Sequence, residues 1–247
     1  MALYIIGIGL SDEKDISIKA LEIVKRCSKI YLENYTSILT VPVSNLEEFY
    51  GKKLILADRD LVEKNAEIIL KDAKKEEVAF LVVGDAFSAT THLDIKMRAE
   101  NLGIRVFVLH NASILTAVGE IGLSLYNFGK VTSIPFENKN ITSPMDALIN
   151  NISLGMHTLL LLDLNPKEKR FLNVKEAIRW LLSFKKKEFT EETSVVVCCQ
   201  IGSNNQIIKY GAVKKMLKEN FDLFPQSLIV PGRLQFFEEE ALEKWKL

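Results

Sequence analysis

Apolar runs alternate with amphipathic stretches from the third residue onward. The run LYIIGIG (Leu3–Gly9) reads as a strand closed by glycines. Ile18, Leu21, Val24 and Cys27 then recur at helical spacing, and KIYLE (Lys29–Glu33) follows as a strand. The same alternation predicts a short helix at Asn45–Tyr50, a strand at KLILA (Lys53–Ala57), and one long helix over Leu61–Lys74. A strand over Val78–Asp85 comes next, then a helix over His92–Leu102 that stops at Gly103. The run IRVFVLH (Ile104–His110) is the last strand of this half. Central runs apolar on both faces are the mark of a parallel sheet covered by helices.

Past His110 the pattern restarts. SILTAVGEIGL (Ser113–Leu123) reads as helical, and strands are predicted at Thr132–Phe136, His157–Leu164, Ser194–Gly202, Gln206–Val213 and Ser227–Gly232. The Ser194–Gly202 and Gln206–Val213 runs, joined by SNN, predict a β-hairpin. The second half is therefore mixed rather than wholly parallel. The expected organisation is an α/β protein of two domains, residues 1–111 and 112–247, without a flexible linker. The charged stretch KKKEFTEET (Lys185–Thr193) is expected to be a solvated loop.

Composition narrows the partners. The 32 basic and 32 acidic residues cancel, so no global field favours nucleic acid, and none is expected to bind directly. The opening MALYIIGIGLSDEKD is too short in apolar length to span a bilayer and lacks the positive start of a secretory signal. The three cysteines, Cys27, Cys198 and Cys199, form no CxxC pattern and do not suit a disulfide framework. A cytoplasmic location without membrane attachment is the expectation. His92, His110 and His157 are too widely spaced to support a metal site, and all three are read as hydrogen-bonding or surface histidines.

Ligands of open α/β sheets gather beyond the carboxyl ends of the strands. Here those ends carry GIGL (Gly7–Leu10), GDAFSATTH (Gly84–His92), HNAS (His110–Ser113), LLDL (Leu161–Leu164), QIGS (Gln200–Ser203) and VPG (Val230–Gly232). GIGL has two of the glycines of a dinucleotide fingerprint, but Asp12 stands at the third position and acidic residues follow. Glu33, ending the second strand, is the acid that would hold a ribose in that reading; a plain strand-to-loop turn explains the glycines without any ligand. Asp85 either faces a ligand or caps its own turn. Thr90 or Thr91 is the expected N-cap of the next helix. Glu33, Tyr35 and His92 follow strand ends and are weighed as bases, with structural roles favoured for each. No Ser-His-Asp order, nucleophile elbow, P-loop or HExxH motif occurs.

In this order, these residues resemble the diphthine synthases, a branch of the tetrapyrrole-methylase-like class of S-adenosylmethionine-dependent enzymes. The opening LYIIGIGLSDEKDISIKALEIVKRC is similar to that branch's start. LENYTS (Leu32–Ser37), GDAFSATTH, ASILTAVGEIGL, FGK (Phe128–Lys130), HTLLLLDL and LIVPGRL (Leu228–Leu234) follow at its spacing, from end to end of the chain. Two departures stand out. Ala86, Phe87 and Ser88 replace a proline and two aliphatic residues, and Gln200 stands where the branch often carries arginine. The resemblance implies a two-domain tetrapyrrole-methylase-like fold, mostly parallel sheet first and mixed sheet second, with the cofactor in a cleft between them, and a homodimer. It implies S-adenosylmethionine contacts at Leu10, Asp85, Ser88, Ser113, Ile114, Leu162, Ile201 and Gln226, with S-adenosylhomocysteine as product and no metal. The implied protein substrate is translation elongation factor 2, methylated on the amino group of a 3-amino-3-carboxypropyl-histidine to give diphthine. The alternatives are a methyltransferase of the same fold acting on a tetrapyrrole or RNA, and a dinucleotide-binding oxidoreductase.

Overall fold

Strand β1 (Ala2–Gly7) is buried along its whole length because helices cover both of its faces. It belongs to a five-stranded sheet with β2 (Lys29–Glu33), β3 (Ile55–Ala57), β4 (Glu77–Val82) and β5 (Arg105–Leu109), in the order β3-β2-β4-β1-β5. Every pair in it is parallel. The period-two alternation of a strand sends Tyr4 and Ile6 to one face and Leu3 and Ile5 to the other. The first face packs against α1 (Ile18–Arg26) and α2 (Val43–Tyr50) through Ala20, Ile23, Val24, Leu46 and Tyr50. The second packs against α3 (Glu67–Lys75) and α4 (Leu93–Asn101) through Ile69, Leu70, Ala73, Ile95 and Ala99. The chain crosses the sheet one way from β1 to β3 and returns from β3 to β5. Keeping one crossover hand on both legs puts the two helix pairs on opposite faces.

This computed structural model describes all residues, Met1–Leu247. The chain divides into a first unit, Met1–Leu115 with Pro166–Glu168, and a second, Thr116–Asn165 with Lys169–Leu247. The short helix α5 (Ile114–Ala117) lies at the division. The second unit adds β6 (Thr132–Ile134), α6 (Ser143–Ser153), β7 (Thr158–Leu162), the two-residue strands β8 (Leu164–Asn165) and β9 (Arg170–Phe171), and α7 (Val174–Ser183). It ends with β10 (Ser194–Cys199), β11 (Ile207–Ala212), α8 (Val213–Met216), β12 (Gln226–Val230) and α9 (Phe236–Glu243). Its sheet runs β11-β10-β12-β7-β6, parallel only between β6 and β7. One face of that sheet packs Leu160, Val195, Val197 and Leu228 against Met145, Leu148, Ile178 and Leu181 of α6 and α7.

The predicted β10–β11 hairpin is present and antiparallel, and the mixed character of the second sheet is as expected. Several local expectations are corrected. Of the stripe expected on α1, Val24 and Cys27 are buried and Leu21 packs against the same core, but Ile18 is 79% exposed, and Ala20 and Ile23 widen the buried face. The long helix expected over Leu61–Lys74 is interrupted. Asn65 N–H bonds Asp60 O at 3.0 Å, a wide turn that ends the first piece before α3 begins. Ser113–Leu123 is not one helix but α5 followed by a tight turn over Val118–Ile121, which Gly122 closes at φ +101°. Neither Thr90 nor Thr91 caps α4. The residue before α4 is His92, no side chain bonds there, and Thr90 Oγ1 donates instead to Ala86 O at 2.6 Å. The stretch Lys185–Thr193 is mostly exposed, with Phe189 as a single anchor buried in the second core. The sequence pattern also passed over α6, α7 and α9. A reciprocal Asn173–Glu176 capping box marks the start of α7.

Candidate functional site

In the first unit the carboxyl ends of the parallel strands lie along one edge, and the loops leaving them are tied together by polar groups. β1 and β4 end in glycines that face each other. Gly84 N–H donates to Gly9 O at 2.7 Å, and Gly9 N–H returns a longer bond to Gly84 O at 3.3 Å. Gly84 holds φ +80°, a conformation that few side chains tolerate. At Gly7 the constraint is space. A Cβ there would lie 2.6 Å from Gly84 O, 3.0 Å from Asp85 Cα and 3.1 Å from Asn111 Cβ.

That empty position lets the β4 end reach the β5 end across β1. Asp85, 7% exposed, uses both carboxylate oxygens twice. Its Oδ1 accepts from Phe87 N–H at 3.0 Å and Ser88 Oγ at 3.3 Å. Its Oδ2 accepts from His110 Nδ1 at 2.7 Å and Asn111 N–H at 3.1 Å. Burial alone would raise this carboxyl, but the bonds from Phe87, Asn111 and His110 outweigh it and hold it below the ordinary carboxylate value. Asp85 caps its own turn through Phe87 and Ser88, and the same side chain also binds the neighbouring strand end. Asn111 completes the tie: its Nδ2 donates to Gly7 O at 3.1 Å and to Asp15 O at 3.0 Å.

The residues expected to touch a cofactor fall into two groups. Around Gly84, the nearest atoms to an added Cβ are Ser113 Cα at 3.8 Å, and Ala112 O and Leu10 Cδ2, each at 3.9 Å. Leu10, Asp85 and Ser113 thus share one corner, with Ser88 bonded to Asp85 and Ile114 next in sequence. In the second unit, Cys199 pairs with Gln226 and Leu161 with Ser227, so Leu162, Ile201 and Gln226 collect at one end of the mixed sheet. Gln226 is internally engaged. Its Oε1 accepts from Val174 N–H at 2.9 Å, and its Nε2 donates to Phe221 O and Leu223 O at 2.8 and 3.1 Å.

The dinucleotide reading fails at the amides it requires. Leu10 N–H and Ser11 N–H donate to Asp15 Oδ2 at 3.0 and 2.7 Å, so a carboxylate sits where a phosphate would bind. Gly9, at φ +82°, is a tight turn packed on Asp15. Glu33 is also withdrawn from ligand duty. It is 1% exposed and accepts from Tyr35 N–H, Thr36 N–H and Thr36 Oγ1 at 2.8, 2.6 and 2.8 Å. Burial raises its carboxyl above the usual range.

Tyr35 and His92 are buried as well. His92 is fully inaccessible, its Nδ1 lies 3.2 Å from Ala86 O, and burial pushes its ring down to about 4. Burial pushes the Tyr35 phenol up to about 12. The imidazole that sequence reasoning passed over is His110. Its side chain is 71% exposed, and it is bonded through Nδ1 to a carboxylate only 9% exposed. Asn111 was missed for the same reason: HNAS marks a strand end, but nothing local shows that β4 and β5 flank β1. No group of three or more histidine, cysteine, aspartate or glutamate side chains is arranged to hold a metal ion.

Comparison with known proteins agrees with this architecture. The family model for Tetrapyrrole (Corrin/Porphyrin) Methylases matches residues 2–216. The diphthine methyl ester synthase of Homo sapiens is 45% identical over 255 residues, covering 93% of this chain and 90% of that protein. The diphthine methyl ester synthase of Dictyostelium discoideum is 41% identical over 270 residues, covering 100% and 99%. A crystal structure of diphthine synthase superposes with a TM-score of 0.92 at 33% identity, covering 100% of this chain and 96% of that one. The chain belongs to the tetrapyrrole methylases and, within them, to the diphthine synthase branch.

Proposed function

We propose that this methyltransferase moves methyl groups from S-adenosylmethionine to the amino group of a 3-amino-3-carboxypropyl-histidine on translation elongation factor 2, giving diphthine. The observation that carries the proposal is the 45% identity, over nearly the full length of both chains, to a protein named for that product's methyl ester. The ester in that name favours a further step, methylation of the carboxylate after the amine.

The donor set suits the proposed cofactor. Leu10, Asp85, Ser88, Ser113 and Ile114 offer one ionised carboxylate, hydroxyls and backbone, without a lysine or arginine among them. Such a set fits a cation bearing sugar hydroxyls and is poorly matched to a pyrophosphate. When bound, S-adenosylmethionine supplies an activated methyl on a positive sulfur. Asp85 then contributes a fixed negative charge, since its bonding capacity is already engaged by Phe87, Ser88, His110 and Asn111. Gly84 keeps the corner open: a side chain there would project toward Leu10, Ala112 and Ser113. Leu162, Ile201 and Gln226 are cofactor contacts by resemblance alone, and Gln226 is held rigid by its own bonds. The remaining contribution is orientation of a neutral amine in line with the methyl. A cytoplasmic homodimer is part of the same proposal.

Transfer of labelled methyl to purified elongation factor 2, set beside a tetrapyrrole and bulk RNA, tests this reading. Label in the factor alone supports it, and label in either alternative with none in the factor refutes it. A thermal-shift comparison adds the cofactor. S-adenosylhomocysteine at 100 times its Kd should stabilise by about 2.7 kcal/mol, whereas NAD should do nothing.

A further inference from the structure

We propose that His110 is the catalytic base of the amine methylations, taking a proton from the substrate amine at Nε2, and that Asp85 positions it. This rests on the methyltransferase reading above. The tautomer follows from the hydrogen bonds. An ionised carboxylate has no proton to give, so at 2.7 Å from Asp85 Oδ2 the His110 Nδ1 must be the donor. In the neutral ring the other nitrogen, Nε2, is then an acceptor. Nothing in the protein bonds it, and the side chain is 71% exposed. Phe87 stands edge-on to the ring, with centroids 6.4 Å apart, and limits its swing. The base is thus held on one side and open on the other, and its holder, Asp85, follows Gly84, beside which Leu10 and Ser113 lie.

No other candidate matches this placement. Both Glu33 oxygens are occupied, and the His92 ring is wholly buried among Phe80 and Tyr35. His157 carries the opposite tautomer. Gly232 N–H donates to its Nδ1 at 2.9 Å, so its Nε2–H points at Glu238, and both side chains are sealed from solvent.

The chemistry balances without a co-reactant. The ammonium form of the substrate gives one proton to His110 Nε2, and the freed nitrogen lone pair forms the new N–C bond. The C–S bond breaks with its electron pair going to sulfur, leaving S-adenosylhomocysteine. The imidazolium returns its proton to water through the exposed side of the ring. Each of the successive amine methylations repeats this proton loss. Methylation of a carboxylate needs none, because the nucleophile is already anionic.

The deciding experiment uses the full chain, S-adenosylmethionine and elongation factor 2 carrying the unmethylated side chain. His110→Asn retains a donor that can reach Asp85 but has no basic atom, and at this exposure it leaves folding intact. The proposal expects amine methylation to slow by about 100-fold in H110N, with added imidazole restoring a measurable part of the rate. A merely structural His110 predicts near-normal activity in H110N and no response to imidazole, which would overturn the proposal. A readout independent of turnover is the long-range 15N–1H NMR spectrum of the histidine rings. It should show His110 as the Nδ1–H tautomer in the wild type and a loss of that preference in Asp85→Asn; an Nε2–H ring in the wild type would also overturn it. Should the wild type itself transfer no methyl to the factor, the proposed function fails, a result distinct from the H110N outcome.

Discussion

His157 Nε2 lies 3.1 Å from Glu238 Oε1, and neither side chain has any exposed surface. Gly232 N–H occupies the other ring nitrogen, so the pair is a neutral imidazole donating to an ionised carboxylate. Glu238 also accepts from Ser124 N–H at 2.8 Å, Asn127 Nδ2 at 3.3 Å and Gln235 N–H at 2.8 Å. One carboxylate thereby joins the 124–127 turn, the start of β7 and the first turn of α9 within the second unit.

Glu238→Gln replaces two acceptor oxygens by one and sets an amide NH2 either against Gln235 N–H or against the Ser124, Asn127 and His157 donors. The expected loss is about 3 kcal/mol of folding stability, read from urea unfolding. The pH dependence follows from sign. Burial would raise the Glu238 carboxyl, but the bonds from Gln235, Ser124, His157 and Asn127 bring it below its unfolded value. Its contribution is therefore full above the unfolded pKa and vanishes as pH falls through the folded one. The wild type should lose stability across that acid range more steeply than E238Q; parallel curves would refute this.

Gly7→Ala tests the crossing of β1 by Asp85. The added methyl meets backbone at 2.6 and 3.0 Å, atoms that cannot swing away as a flexible side chain would. We expect a loss of about 2 kcal/mol together with a shift of the His110 ring signals in NMR. Unchanged signals in a folded G7A protein would show that the Asp85–His110 contact does not depend on the open position.

The three cysteines are free and buried. Burial pushes the Cys27 and Cys199 thiols up to about 11 and 12 and raises Cys198 as well. Thiolate is the reactive form, so a thiol reagent at neutral pH should label none of them in the native protein and all of them in urea. Rapid native labelling would place at least one thiol at the surface.

Asp15→Ala frees the Leu10 and Ser11 amides. The variant should lose about 1–2 kcal/mol of stability and still show no thermal shift with NAD. A shift in the variant would mean that the carboxylate alone had been blocking a phosphate site.

Much of the fold could be read because it rests on local pattern. The strand at Lys29–Glu33 is found at its predicted bounds, since apolar residues bounded by polar ones have little alternative there. The β10–β11 hairpin was visible in its short polar connection. At α1 only Ile18 departs from the expected face: it is apolar yet sits at the start of the helix, outside the stripe that packs on the sheet. At the strand ends, residue types were legible but partners were not. Asp85, His110 and Asn111 meet only because β4 and β5 flank β1 and Gly7 leaves room between them. Sequence separation hid that meeting: His110 lies 25 residues from Asp85.

Mass spectrometry of the modified histidine, after incubating elongation factor 2 bearing the 3-amino-3-carboxypropyl group with this protein and S-adenosylmethionine, probes the proposed activity most directly. A gain of at least three methyl masses on that side chain is expected. No gain on a correctly primed factor, using protein shown separately to be folded and to bind S-adenosylhomocysteine, would contradict the proposed activity.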